Sequence, residues 1–363
     1  MNKNNKPEIR FKGFTDAWEQ RKLNEICNYK SSSLTVADRT EQGKFPLYDA
    51  NGQIGMVDSF YMQEDYITVI KDGAGVGRIR RLPKNTAFIG TMGALTSKNS
   101  ELNFLYYLLE KKDLSKQYTG STIPHIYFKD YGRNDVLVSD IKEQQKIGLY
   151  FDQLDHLITL HQRKLEKLQN IKKSMLEKMF PKDGNSLPEI RFKGFIDAWE
   201  QRKLNEICNY KSSSLTVADR TEQGKFPLYD ANGQIGMVDS FYMQEDYITV
   251  IKDGAGVGRI RRLPKNTAFI GTMGALTSKN SELNFLYYLL EKKDLSKQYT
   301  GSTIPHIYFK DYGRNDVLVS DIKEQQKIGL YFDQLDHLIT LHQRKLEKLK
   351  IIKNLMLEKM FVK

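Results

Sequence analysis

Two hydrophobic patterns follow one another along the chain. Residues 45 to 89 hold short apolar runs, among them Tyr66-Ile67-Thr68-Val69-Ile70, which has the length and β-branched content of a buried strand. Asn51-Gly52 lies between two such runs, as in a hairpin turn. From Ser100 the period becomes helical, and Gly120 lies beyond the end of this helix. The face that we expect the helix to bury carries Leu102, Leu105, Tyr106 and Leu109.

The segment from Ile141 to Phe180 predicts one long helix, with no proline and a single glycine, Gly148. Steps of four and three connect ten positions, eight of them apolar, which we call the seam. The seam comprises Ile147, Phe151, Leu154, Ile158, His161, Leu165, Leu168, Lys172, Met175 and Met179. At about 1.5 Å per residue the helix is a rod of roughly 60 Å, too long to pack only on its own small domain. Its expected partner is the segment from Ile322 to Phe361.

The chain is a tandem repeat. Residues 7–182 align with 188–363 at an offset of 181 without gaps, and 170 of the 176 positions are identical. A repeat of this length is a whole domain rather than a solenoid unit. The six differing pairs are Thr15/Ile196, Gln169/Lys350, Asn170/Ile351, Lys173/Asn354, Ser174/Leu355 and Pro181/Val362. Ile351 and Leu355 make the second helix end more apolar, so we expect it to pack on another surface, either the segment around Trp18 or a partner.

The composition favours an intracellular protein and leaves open whether its positive charge serves a polyanionic partner. The net charge is +11, the pI about 9.2 and the hydrophobic content 40%. Nucleic acid is one expected partner, because cations release counterions from phosphates; a basic protein without such a partner is the alternative. No run of about 18 apolar residues predicts a membrane span, and residues 1–12 lack the apolar core of a secretory signal. Cys27 and Cys208 are expected to be buried thiols, which predicts a cytoplasmic location.

Motifs for catalysis are weak. The loop from Asp72 to Arg78 resembles G-x-G-x-x-G, but Arg78 replaces the third glycine and no helix follows, so we predict a turn rather than a nucleotide site. A P-loop and a Cys-x-x-Cys motif are absent from the sequence, and His156 and His161 are five positions apart, which does not favour a metal site. The carboxylates Glu143, Asp152 and Asp155 read as a solvated helix face. We expect neither catalytic nor metal-ligating residues.

Two segments of each copy favour DNA binding. The glycine loop carries cations for phosphates, and the segment from Ser121 to Arg133 mixes hydroxyls, cations and aromatics that suit phosphates and base edges; an ordinary loop with core aromatics is the alternative. The candidates in the first copy are Lys71, Arg78, Arg80, Arg81, Thr122, His125, Tyr127 and Lys129. Those in the second copy are Lys252, Arg259, Arg261, Arg262, Thr303, His306, Tyr308 and Lys310.

The order of segments resembles the specificity subunit of type I restriction–modification systems across essentially the whole chain. No single motif is specific, but the combination is. Ser139 departs from the family, which usually has proline before the Glu-Gln pair. The matching residues are Trp18-Glu19-Gln20-Arg21-Lys22-Leu23, the Asn51-Gly52 and Gly73-to-Gly77 turns, Thr122-Ile123-Pro124-His125, Glu143-Gln144-Gln145-Lys146-Ile147, Leu154-Asp155-His156-Leu157-Ile158 and the lysine-rich helix, all repeated from Trp199 to Phe361.

The resemblance implies an α+β fold with two mixed α/β target-recognition domains. It also implies two long helices that pack antiparallel as a coiled coil, with internal pseudo-twofold symmetry. The expected parts are a recognition domain at 7–140, a spacer helix at 141–182, a linker at 183–187, a second recognition domain at 188–321 and a second spacer helix at 322–363.

The function implied by the resemblance is recognition of double-stranded DNA without catalysis. Methyltransferase subunits, expected to be two, would supply S-adenosylmethionine chemistry, and restriction subunits would supply ATP- and Mg-dependent cleavage, with no cofactor on this chain. A coiled-coil scaffold without specific DNA recognition is the alternative. A third possibility, an autonomous nuclease or methyltransferase, lacks a catalytic constellation in the sequence.

Overall fold

A computed structural model describes residues 5–59, 62–120, 122–182, 184–240, 243–301 and 303–362. The chain divides into two compact units. Unit 1 comprises residues 1–162 and 344–363, and unit 2 comprises residues 163–343. The expected linker contains Asp183 and the expected binding segment contains Ser121, both of which lie outside the described residues.

Unit 1 is a mixed α/β domain. Its elements in chain order are β1 (Glu19–Lys22), α1 (Leu23–Ile26), β2 (Cys27–Ser31), a 3₁₀ turn (Val36–Asp38), β3 (Phe45–Tyr48), β4 (Gln53–Val57), β5 (Tyr66–Ile70), β6 (Ile79–Leu82), β7 (Ala87–Phe88), β8 (Met92–Ser97), α2 (Leu102–Lys112), a 3₁₀ turn (Leu114–Lys116), α3 (Phe128–Tyr131), β9 (Asp135–Val138) and the start of α4 (Ile141–Lys178).

Three small sheets position the loops of unit 1. The largest is antiparallel with the order β2-β8-β5-β6, the second has the order β4-β3-β7, and β1 pairs with β9. All five residues of β5 are buried, which confirms the strand predicted from its apolar run. The Asn51-Gly52 hairpin is also confirmed, since β3 and β4 pair antiparallel with Tyr48 opposite Gln53.

Helix α2 forms where the period predicts it and buries the predicted Leu105 and Leu109, whereas the predicted Leu102 and Tyr106 are only half-buried. Its buried face also takes in three residues that were not predicted, namely Phe104, Tyr107 and Leu108. The reason is that α2 contacts both the sheet and the start of α4, so its buried face is wider than one stripe. The helix ends at Asp113, whose left-handed backbone (φ 48°) terminates it well before Gly120.

The end of helix α8 (Ile322–Met360) completes the core of unit 1. Phe361, just beyond α8, packs against Trp18, Phe104 and Phe151, with ring centroids 5.3 to 6.0 Å apart. The α8 segment runs antiparallel to the start of α4, because Phe361 contacts Phe151 while Lys353, further back on α8, pairs with Asp155. A domain that contains residue 18 is therefore closed by residues near the end of the chain.

Unit 2 repeats this architecture. Its elements are the end of α4, β10 (Glu200–Lys203), α5 (Leu204–Ile207), β11 (Cys208–Ser212), a 3₁₀ turn (Val217–Asp219), β12 (Phe226–Tyr229), β13 (Gln234–Val238), β14 (Tyr247–Ile251), β15 (Ile260–Leu263), β16 (Ala268–Phe269), β17 (Met273–Ser278), α6 (Leu283–Lys293), a 3₁₀ turn (Leu295–Lys297), α7 (Phe309–Tyr312), β18 (Asp316–Val319) and the start of α8. Here Phe180, at the end of α4, packs on Trp199, Phe285 and Phe332.

The predicted seam is confirmed. All ten positions, nine on α4 and Met179 directly after it, are buried or half-buried. Lys172, which interrupts the apolar pattern, lies 2.8 Å from Glu291 and 2.8 Å from Asp336 within unit 2. The polar position is thus satisfied by two carboxylates rather than exposed. None of the helices in the described ranges is long and apolar enough to cross a membrane.

Candidate nucleic-acid interface

Three loops of unit 1 converge on one surface: loop A (residues 49–52), loop B (residues 71–78) and loop C (residues 119–127). Loops B and C are joined by backbone hydrogen bonds, from the Ile126 amide to the Lys71 carbonyl at 2.8 Å and from the Gly73 amide to the Pro124 carbonyl at 2.9 Å. Loops A and B are joined by Arg78, whose guanidinium donates to the Ala50 carbonyl. We call these three loops the three-loop surface.

The conformation of loop B explains its glycines. Gly73, Gly75 and Gly77 have φ values of 83°, 85° and 80°, which residues other than glycine rarely adopt. A Cβ atom at Gly77 would lie 2.4 Å from the Ser115 backbone nitrogen. The loop continues into strand β6 and not into a helix, so it lacks the helix N-terminus that a dinucleotide loop uses to hold phosphate.

Most of the predicted cations lie on the three-loop surface. Arg78 is exposed, and Arg80 is half-buried with its guanidinium 3.2 Å from the Ala50 carbonyl. Lys71 is half-buried, with its ammonium 3.7 Å from Asp72. Lys129 follows loop C and is exposed, with its ammonium 5.2 Å from the centre of the Tyr127 ring. Of the five predicted cations of the first copy, Lys71 and Arg78 therefore belong to loop B. Two more contact the other loops: Arg80 contacts loop A and Lys129 contacts loop C.

Arg81 is placed elsewhere. Its guanidinium donates to Asn103 and Asp152 and lies 4.6 Å above the Tyr106 ring, on the side of β6 that faces α2 and α4. Because side chains alternate along a strand, Arg80 and Arg81 point in opposite directions. The structure therefore does not bring Arg81 to the three-loop surface. Its equivalent Arg262 is likewise held by Asn284 and Asp333.

Loop C presents the remaining candidates. The backbones of Thr119 and His125 exchange two hydrogen bonds, of 2.9 and 2.8 Å, which close the loop. Thr122 and Tyr127 are exposed, and the rings of His125 and Tyr127 lie 5.0 Å apart. Hydroxyl, imidazole and phenol groups thus accompany the cations, a combination that can contact both phosphates and base edges.

Unit 2 reproduces this geometry. The Ile307 amide donates to the Lys252 carbonyl at 2.8 Å, and Arg259 and Arg261 both donate to the Ala231 carbonyl. Thr303 and Tyr308 are exposed, His306 lies 5.0 Å from Tyr308, and Lys310 lies over the Tyr308 ring. Each unit therefore carries its own three-loop surface, built from identical residues.

The expectation of a solvated face for Glu143, Asp152 and Asp155 is wrong. Glu143 is fully buried and accepts two hydrogen bonds from Arg10, at 2.7 and 2.8 Å, and one from the Trp18 indole at 3.1 Å. The hydrogen bonds from Arg10 to this carboxylate raise the pKa of Arg10 above its ordinary value. This contact ties the segment before β1 to the start of α4.

Asp152 and Asp155 are half-buried and accept hydrogen bonds from the Tyr107 hydroxyl, at 2.9 and 2.8 Å. Burial and the hydrogen bond to Asp155 raise the pKa of Tyr107 far above its ordinary value. Sequence analysis missed these contacts because the partners of the three carboxylates lie 45 or more positions away. The sequence gives one indication that Asp152 and Asp155 are not fully solvated. Both lie within two positions of the seam residue Leu154.

In the part of the chain that the structure describes, no group of three or more histidine, cysteine or acidic side chains is placed to hold a metal ion. One cleft of about 490 Å³ is lined by Lys111, Lys112 and Leu137.

The fold and the repeated basic surface define a two-domain nucleic-acid-binding protein with long helices. Residues 15–170 and 196–351 match the family described as "Type I restriction modification DNA specificity domain". The chain belongs to this family. Specificity subunits are the non-catalytic, DNA-binding members of type I systems, and the family assembles with methyltransferase and restriction subunits.

Two curated relatives carry the same designation. The chain is 25% identical to the "Type I restriction enzyme MjaVIII specificity subunit" of Methanocaldococcus jannaschii over 391 aligned positions, covering 94% of this chain and 92% of that protein. It is 32% identical over 169 positions to the "Putative type I specificity subunit S.MgeORF438P" of Mycoplasma genitalium, covering 44% of this chain and 43% of that protein.

Solved structures share the fold. A type I restriction–modification S subunit from M. genitalium aligns with a TM-score of 0.75 at 23% identity, covering 99% of each chain. A chain from a study of type I complex assembly and conformational transition aligns with a TM-score of 0.50 at 15% identity, covering 95% of this chain. The fold class expected from the sequence, two mixed α/β domains with long helices, is confirmed.

Proposed function

We propose that this chain recognises a bipartite DNA site made of two inverted copies of one half-site around a non-specific gap. The observation that carries the proposal is the identity of the two three-loop surfaces. Every candidate residue from Lys71 to Lys129 has the same residue type at its equivalent in the second copy. Identical side chains in identical geometry prefer the same bases, so the two half-sites have the same sequence.

Support for the inverted arrangement comes from how each unit uses the two helices. Within unit 1 the start of α4 lies antiparallel to the end of α8, and within unit 2 the start of α8 lies antiparallel to the end of α4. Identical domains related by such an exchange read opposite strands. We expect the half-site centres to be about one helical turn apart, roughly 10 bp, with a gap fixed by the helices.

The contacts divide by chemistry. In our proposal Lys71, Arg78, Arg80 and Lys129 meet phosphates, whereas Thr122, His125 and Tyr127 are closer in chemistry to base-edge contacts. Their equivalents in the second copy do the same. Arg81 and Arg262 act indirectly, by holding strand β6 or β15 against α4 or α8 within their own units.

Catalysis belongs to the partners. We propose that two methyltransferase subunits and the restriction subunits use this chain for their sequence specificity, and that they hold S-adenosylmethionine, ATP and Mg. The buried free thiols of Cys27 and Cys208 are consistent with a cytoplasmic site of action.

The proposal is tested by co-expressing the chain with its methyltransferase partner in cells that lack other adenine methylation, and by sequencing the methylated positions. We expect one motif, palindromic and interrupted. Two different half-sequences would contradict the identity argument, and a contiguous motif would contradict the spacer. Absence of any sequence-specific methylation or binding would favour the coiled-coil scaffold instead.

A further inference from the structure

Loop C carries an exposed apolar side chain on the three-loop surface. Ile123 is 64% exposed, and its equivalent Ile304 in unit 2 is also 64% exposed. Single exposed apolar residues are common on protein surfaces. Ile123 differs from such residues because it stands among groups suited to DNA, next to Thr122 and two positions before His125.

The backbone carbonyls of Ile123 and of the next residue, Pro124, are both hydrogen-bonded, which holds Ile123 in its exposed position. The Ile123 carbonyl accepts from His125 Nδ1 at 3.1 Å, and the next carbonyl, that of Pro124, accepts from the Gly73 amide of loop B at 2.9 Å. Gly120 has a φ of 91°, and a Cβ atom there would lie 2.5 Å from the Ile123 carbonyl oxygen. The loop therefore turns tightly below Ile123.

The same contacts recur in unit 2. His306 Nδ1 lies 3.1 Å from the Ile304 carbonyl, the Gly254 amide donates to Pro305 at 2.9 Å, and Gly301 has a φ of 91°. Both units thus hold an isoleucine side chain outward from a loop that is attached to the cations of loop B or its equivalent.

An isoleucine cannot bind phosphate, so its partner on DNA must be apolar. The major groove presents one exposed apolar group, the 5-methyl of thymine, and small apolar side chains recognise it. We propose that Ile123 and Ile304 are specificity-determining residues that contact a thymine methyl group in each half-site. This inference rests on the proposed function and adds a base identity to it.

The test uses the full chain with its methyltransferase partner and a duplex that carries the motif found by methylation sequencing. Each thymine of the half-sites is replaced in turn by deoxyuridine, which removes only the methyl group. Binding is measured for the parent chain, for Ile123→Ala with Ile304→Ala, and for Ile123→Val with Ile304→Val. Ile196→Thr is the matched control, because it removes an isoleucine that is 83% exposed and restores the residue of the first copy.

We expect uracil at one position to weaken binding by the parent chain and the control about fourfold per half-site, the effect of one buried methyl group. The double alanine variant should bind the thymine duplex more weakly and be insensitive to uracil at that position, with the valine variant intermediate. Equal sensitivity of the parent and alanine chains to every uracil would overturn the proposal, as would unchanged binding by the alanine variant.

A uniform loss of affinity without any change in uracil sensitivity would also overturn it, since that result indicates a wedge between bases rather than a methyl contact. In each of these outcomes the parent chain still binds its motif. Failure of the parent chain to bind any sequence specifically would instead be a failure of the proposed function.

Discussion

The ammonium group of Lys353 lies 2.8 Å from a carboxylate oxygen of Asp155, although the two residues are 198 positions apart in the chain. A second carboxylate, that of Glu110, lies 2.8 Å from the same ammonium. Burial alone would lower the pKa of Lys353, but the hydrogen bonds to Asp155 and Glu110 outweigh it and raise the pKa. Lys353 therefore stays charged and fixes the register of α8 on the domain of unit 1.

Replacement of Lys353 by methionine is expected to lower the free energy of unfolding by about 1 to 3 kcal/mol, because two half-buried carboxylates lose their cation. Denaturant unfolding measures the change. The control is Lys350→Gln, which removes an exposed lysine of the same helix and restores the residue of the first copy. Equal stability of the two variants would show that the ion pairs do not hold the helix end.

The equivalent Lys172 shows which part of the fold the sequence could predict. The seam follows from periodicity, since burial of an apolar stripe requires only local spacing. The reason for the lysine within it does not, because its carboxylate partners lie 119 and 164 positions away. The burial of Glu143 was hidden for the same reason: a carboxylate surrounded by lysines in sequence reads as solvated until Arg10 and Trp18 are found beside it.

The candidate site was predictable as a set of segments but not as a surface. The spacing of its glycines predicts that loop B is a turn, and the hydroxyl, cationic and aromatic residues of loop C predict contact with DNA. Loop A has no cation for DNA, and its place on the surface follows from the hydrogen bonds that Arg78 and Arg80 donate to the Ala50 carbonyl. The separation of Arg80 from Arg81 follows from strand alternation, which becomes usable only when the bounds of β6 are known.

Arg78 and Arg81 are expected to differ in what their loss changes. Arg78→Ala with Arg259→Ala should weaken binding to all DNA sequences alike and reduce the slope of log affinity against log salt by about one for each arginine. Arg81→Ala with Arg262→Ala should lower stability and leave that slope unchanged, since these guanidinium groups pair with Asp152 and Asp333.

Salt-dependent shift assays and denaturant unfolding measure the two effects. Arg78→Lys with Arg259→Lys serves as the control that keeps the charge and removes the guanidinium that donates to the Ala50 or Ala231 carbonyl. A reduced salt slope for the Arg81 pair, or an unchanged one for the Arg78 pair, would reverse this assignment of roles.

Cys27 and Cys208 are expected to resist alkylation until their units unfold. Burial raises the pKa of both thiols to about 12. At pH 8.5 we expect labelling at least about a hundredfold slower than in the unfolded chain, because the thiolate is the reactive form. The single variant Cys208→Ala leaves Cys27 as the only thiol, which reports on unit 1, and Cys27→Ala leaves Cys208, which reports on unit 2. Fast labelling of either folded variant would contradict the burial of its thiol.

The raised pKa of the two thiols also makes the stability of the folded chain fall at high pH. Above pH 9 the thiols of the unfolded chain ionise while those of the folded chain remain protonated up to about pH 12. The unfolded state is then favoured, so this contribution to stability is present below pH 9 and is lost as the pH rises from 9 to 12. The two alanine variants together should show a smaller loss of stability over this interval than the parent chain.

Ile351 and Leu355 do not pack on Trp18 within this chain, and their packing on a partner subunit stays a prediction. The end of α8 does pack on Trp18, but it does so through Phe361, whose equivalent Phe180 is identical in the first copy. Ile351 and Leu355 are 67% and 45% exposed. Ile351→Asn with Leu355→Ser should therefore change the free energy of unfolding by less than about 0.5 kcal/mol. A larger loss in thermal or denaturant unfolding would restore the packing hypothesis.

The exchange of helix ends predicts the behaviour of a shortened chain. Unit 1 receives Lys353, Leu357 and Met360 from the end of α8, and Phe361 directly after it. The same residue types stand at Lys172 and Leu176 near the end of α4, and at Met179 and Phe180 directly after it. Residues 1–182 therefore contain one recognition domain and one helix end that fits a second copy of this domain.

We expect this fragment to form a homodimer, measurable by sedimentation, that binds the same motif as the full chain. Phe180→Ala with Lys172→Ala should give a monomer, because both anchors of the helix end are removed. A fragment that stays monomeric and folded without these changes would contradict the exchange.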